Sequence, residues 1–104
     1  MRVKCTFVYW RDIPSQVIVQ RGRVRAKVLL SSRFQEAVDR AAMRAGKGSS
    51  EAYLSEWRRQ TVFEETQERA ETLAQVHADR FEAEFSDEAL LSLIKGKGQG
   101  QVKQ

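Results

Sequence analysis

The chain has one cysteine, one proline and one histidine among its 104 residues, and each scarcity removes a class of protein. A lone Cys5 cannot close an intrachain disulfide, so a disulfide scaffold is excluded and a reducing cytoplasm is the expected compartment. His77 stands alone, with no companion ligands at metal spacing, so neither a metal centre nor a cofactor is expected. No positively charged start leads into a long apolar stretch, the pattern of export or membrane insertion. Gly96, Gly98 and Gly100 follow a helical segment and match no phosphate-binding fingerprint, which removes the simplest nucleotide site. No nucleophile with its base can be assembled either, so an enzyme is not expected.

What is present is charge and a modest apolar fraction. At 41% hydrophobic residues the chain suits one small domain, one that buries about two-thirds of its unfolded surface. Residues 1–95 are read as that domain and residues 96–104 as a flexible Gly/Lys/Gln tail. The net charge of +4 conceals a division. Residues 1–47 hold eleven Lys/Arg against three Asp/Glu (+8), and residues 48–104 hold seven against eleven (−4). Such asymmetry fits either an anionic partner for the basic half or two halves attracting each other within the domain.

The first segment, residues 3–10, is β-branched and aromatic and alternates, with Val3, Cys5, Phe7 and Tyr9 on one side, as a strand should. Pro14 fits the connection after it, and Val17-Ile18-Val19 marks a second strand over about 16–21 that ends at Gly22. Over about 23–30, Val24, Ala26, Val28 and Leu30 alternate with Arg23, Arg25, Lys27 and Leu29, which predicts a third strand, with a helix as the alternative.

Ser32 with Gln35 then matches a capping box and opens a helix over about 32–45, whose apolar stripe is Phe34, Ala37, Val38, Ala41, Ala42 and Ala45. A short helix over about 50–59 carries Tyr53, Leu54 and Trp57 inward. A second capping box, Thr61 with Glu64, predicts a long amphipathic helix over about 62–84 with Phe63, Ala70, Leu73, Ala74, His77 and Phe81 in phase. Ser86 and Asp87 open a last helix over about 87–95. The expected fold is α+β: an antiparallel sheet of two or three strands covered by three or four helices.

Three ordered blocks carry a family resemblance: Val8 to Val17 (VYWRDIPSQV), Arg33 to Ala45 (RFQEAVDRAAMRA) and Tyr53 to Arg59 (YLSEWRR). Over roughly residues 7–60 they resemble the small bacterial virulence-factor domain, which is similar to a terminal part of the conserved virulence factor C proteins. That family has no established activity, so the resemblance assigns no catalytic residue. It implies an accessory role, because some members accompany one-carbon and corrinoid methyl-transfer proteins.

The residues themselves point to an interaction module. Cys5 reads as a small buried thiol, His77 as a boundary residue, and Arg11 and Asp12 as structural groups reaching other elements. Trp10, Arg11, Arg23, Arg25, Met43 and Arg58 are the candidate partner-binding residues, since aromatic and cationic side chains concentrate binding energy. The expected function is non-catalytic docking onto a larger bacterial protein. The alternative is a nucleic-acid-binding domain that uses a basic sheet face built on Arg21, Arg23, Arg25 and Lys27.

Overall fold

The computed structural model describes residues 1–100, and the last four residues of the expected tail lie outside them. Four strands form one antiparallel sheet: β1 (Arg2–Trp10), β2 (Ile13–Arg21), β3 (Val24–Leu29) and β4 (Trp57–Glu65). Their order is β3-β2-β1-β4, so β1 is central and pairs along its whole length with β4. The two β-hairpins are local, whereas the β1–β4 pairing joins segments far apart in sequence. Four helices among the described residues complete the fold: α1 (Ser32–Arg44), α2 (Ser50–Leu54), α3 (Ala70–Glu84) and α4 (Asp87–Lys95).

The expected α+β class holds, with four strands instead of two or three. The added strand replaces the end of the expected helix over 50–59 and the start of the one over 62–84: α2 stops at Leu54, and α3 begins only at Ala70. Thr61, Val62 and Phe63 favour extended backbone, and the open edge of β1 supplies the hydrogen bonds that a helix would have made internally. The Thr61–Glu64 capping box therefore does not form. Of residues 23–30, Val24–Leu29 form the strand β3, which pairs with β2, so the helix alternative does not hold.

Pro14 lies inside β2 and not in the connection. It sits opposite Tyr9 where the β1–β2 register shifts, a position that tolerates a missing amide hydrogen. Helix α1 is capped at Ser31 without a side-chain cap. The Ser31 amide and hydroxyl both donate to the Glu82 carboxylate of α3, at 2.7 and 2.9 Å, so a tertiary contact takes the place of the expected Ser32–Gln35 box. Gln35 donates to Asp39 and to the Tyr53 hydroxyl. Arg33 reinforces the junction by pairing with Glu82 and Asp87, each at 3.2 Å.

One core fills the space between the sheet and the helices. Val3, Cys5, Phe7, Val17 and Val19 from the sheet meet Phe34, Ala37, Val38, Ala41 and Ala42 of α1 and Leu73, Ala74, Ala78 and Phe81 of α3. Small residues on α1 and α3 let backbones approach closely, and the aromatic rings of Phe7, Phe81, Phe85 and Phe34 pack edge-on or tilted through the centre. Val8 and Ile18 are buried yet belong to the other side of the sheet and stand apart from this core.

Candidate functional site

The Tyr-Trp-Arg-Asp block closes on the chain itself. Trp10 is fully buried, its indole Nε1 donating to the Tyr53 carbonyl at 2.8 Å and its ring stacked on Tyr53. Arg11 turns the chain in the left-handed region, φ 53°, and its amide donates to the Glu56 carbonyl. Its guanidinium lies 3.3 Å from Glu56, which Lys47 also approaches, and it donates to the Lys97 carbonyl. With Arg11 and then Lys47 beside it, the Glu56 carboxyl is held below its ordinary range. Asp12 receives Arg58 on one oxygen and the Gly100 amide on the other, while its own amide donates to the Gly98 carbonyl. Residues 96–100, the start of the expected tail, thus run against the β1–β2 turn.

The opposite side of the sheet is different. Strand register sets three rows across it: Arg25–Gln20–Lys4–Phe63, Lys27–Ile18–Thr6–Thr61 and Leu29–Gln16–Val8–Arg59. Arg2 and Glu65 form a pair at the end. Since side chains alternate between faces along a strand, all of these point away from the helical core. Helices α1 and α3 pack on the other face, so the acidic half of the chain does not cover this one.

The face carries Arg2, Lys4, Arg25, Lys27 and Arg59 against Glu65 alone, and Lys4, Arg25, Lys27 and Arg59 pair with no carboxylate among the described residues. Apolar groups stand among the cations. Phe63 is 52% exposed with the Arg2 guanidinium 4.3 Å over its ring, and Leu29 is 67% exposed. At the far end a cleft of about 490 Å³ is lined by Val8, Gln16, Trp57, Arg58 and Arg59, and the Gln16 Oε1 atom is buried there without a hydrogen-bond partner among the described residues.

The six candidate residues do not share one surface. Arg25 lies on the open face and Arg23 in the exposed turn beside it. Arg58 lines the cleft but is committed to the Arg11 carbonyl, to Asp12 and to the Tyr9 ring. Trp10 and Arg11 are held inside the clasp, Trp10 because its strand bends into the core at the register shift. Met43 is 73% exposed on the outer side of α1, remote from the sheet. Lys27 belongs to the basic row read from the sequence, and Lys4 lies on the same face, each signalled by alternation with buried residues. Arg59 and Phe63 were not among the candidates, because they required β4 to be read as a strand.

A third constellation joins Cys5 of β1, Glu64 of β4 and His77 of α3. Glu64 Oε2 lies 2.5 Å from His77 Nε2 and accepts from the Cys5 thiol at 3.6 Å. Burial, then the Glu64 charge, pushes the Cys5 thiol up to about 11. The partners missing from the sequence around His77 are supplied by the sheet.

Compared with known proteins, residues 8–94 match the model of a family described as virulence factor. Neither a curated protein nor a solved structure matches the chain. No helix among the described residues is long and apolar enough to cross a membrane.

Proposed function

This chain belongs to the virulence factor family, and we propose that it is a non-catalytic accessory module that docks onto an acidic surface of a larger bacterial protein. The observation that carries the reading is the uncovered sheet face, where five cations face one carboxylate around the apolar Phe63 and Leu29. Unpaired surface cations contribute little to folding, but a field of one sign steers an oppositely charged partner and fixes its register. Exposed Phe63 and Leu29 supply the apolar anchor that charge alone lacks. The family resemblance directs the search to one-carbon and corrinoid methyl-transfer proteins.

A second reading, single-stranded nucleic acid, is favoured by one feature of β4. Phe63 and Trp57 alternate along it with Arg59 and Thr61 on the same face, so bases could stack where phosphates are neutralised.

Affinity purification of the tagged protein from its own bacterium, with and without nuclease, separates the two. A companion protein retained after nuclease, and lost from a variant with Arg25 and Lys27 changed to Glu, supports docking. Recovery of RNA or DNA through the same residues supports the second reading. A protein that emerges alone and turns over a metabolite overturns both.

A further inference from the structure

The Cys5 thiol, a Glu64 carboxylate oxygen and a His77 ring nitrogen all lie within 4.8 Å of one another, and we propose that the three side chains form a zinc site with water in the fourth position. Three different elements converge to make it: the central strand, the edge strand and the long helix. A thiolate, an imidazole and a carboxylate form a donor set of mixed softness that suits zinc better than calcium or magnesium, which prefer oxygen alone. Their charges also balance, because Zn²⁺ with one thiolate and one carboxylate is neutral, which limits the cost of burying the ion beside the core.

The geometry is close to what zinc requires. Tetrahedral ligands at about 2.0–2.3 Å from the ion stand roughly 3.3–3.6 Å from each other. The Cys5–Glu64 separation of 3.6 Å already fits, and the 2.5 Å between Glu64 and His77 needs to widen by somewhat less than an ångström. Glu64 is on an edge strand and partly exposed, so its carboxylate can rotate to make room and offers the ion an entry path. The Phe7 ring, edge-on to His77 at 5.1 Å, holds the imidazole plane against the sheet.

Binding requires two proton movements. The Cys5 thiol releases its proton to solvent as the S–Zn bond forms. His77 gives up any hydrogen on Nε2 and carries one on Nδ1, since the ring must be neutral with a free Nε2 lone pair. Arg80 opposes that second change, because its Nη2 lies 3.2 Å from His77 Nδ1, where it donates to an unprotonated nitrogen. It has somewhere else to go: Glu84 is 3.4 Å from Nη1, and its guanidinium already lies 4.6 Å over Phe81. Among the described residues, the titratable and charged groups at the site are the Cys5 thiol of β1, Glu64 of β4, and His77 and Arg80 of α3.

The test is a titration of the purified full-length protein with Co²⁺ as a spectroscopic stand-in, followed by displacement with Zn²⁺. One equivalent should produce a thiolate-to-cobalt charge-transfer band together with tetrahedral visible bands. Cys5→Ser should abolish the charge-transfer band, and Glu64→Gln should weaken binding by about tenfold or more while its circular-dichroism spectrum stays native. Arg80→Ala should tighten binding by about tenfold, an outcome that a merely structural cluster would not give. A wild-type protein without the thiolate band, a band that survives His77→Gln, or weaker binding in Arg80→Ala overturns the assignment.

Discussion

Gly98 lies so close to Trp10 that a Cβ on the glycine would come within 2.8 Å of Trp10 Cζ3. The same residue has φ 86°, so both space and backbone demand glycine there. Gly98→Ala should destabilise the domain by about 2 kcal/mol, through left-handed strain and overpacking together. Urea unfolding followed by tryptophan fluorescence checks this, and a variant as stable as the parent would show that the segment does not bear on the indole.

Glu82 joins α3 to the start of α1, and its carboxyl is held below its ordinary value of 4.5. Burial alone would raise it, but the Ser31 amide and hydroxyl and the Arg33 guanidinium outweigh that. A carboxyl depressed by folding stabilises the native state above its unfolded pKa, and this contribution is lost as pH falls through the lower folded value. Glu82→Gln should therefore cost about 1–2 kcal/mol at pH 7. The gap to wild type should close below pH 4.5, as thermal melts across pH 3–7 would show.

Phe34 and Met43 share α1 but face opposite ways, one buried and the other exposed. Phe34→Ala should cost about 3–5 kcal/mol, whereas Met43→Ala should lie within about 0.5 kcal/mol of wild type. Denaturant midpoints of the two variants test the face assignment directly.

Arg25 and Lys27 project from β3 onto the open face without a carboxylate partner among the described residues. Changing both to Glu should abolish partner capture and shift stability by about 0.5 kcal/mol or less. Arg23→Glu with Arg25→Glu should do the same through the neighbouring turn. A large loss in the circular-dichroism melt would show instead that these cations hold the fold together.

Much of this architecture was legible locally. Alternation identified β1 and pointed to β3 with a helix as the alternative, the β-branched run Val17-Ile18-Val19 marked β2, and the Phe34–Ala42 stripe identified α1 and the side it buries. Ser86 caps α4 as the sequence implies, accepting from the Ala89 amide. What failed was β4, because its hydrogen-bonding partner is β1, more than forty residues earlier, and no local period reveals such pairing. That one miss hid the site as well. With 57–59 ending one expected helix and 62–65 starting the next, Glu64 could not be seen beside Cys5 and His77, nor Phe63 and Arg59 beside Lys4 and Val8. The clasp was equally invisible, since the glycines after α4 look like linker until Trp10 and Asp12 are placed opposite them.

The central place of β1 has a consequence for biosynthesis. Until β4 leaves the ribosome, the nascent chain holds a β3-β2-β1 sheet in which the apolar β1 is an edge strand with one row of amides and carbonyls unsatisfied. During that interval the polypeptide can recruit any extended neighbour, including another copy of itself, and a fragment ending near Tyr53 would keep that hazard permanently. Arg58 and Arg59 arrive with β4 as charged gatekeepers on the new outer edge, so completing the sheet removes a sticky border and leaves a repellent one.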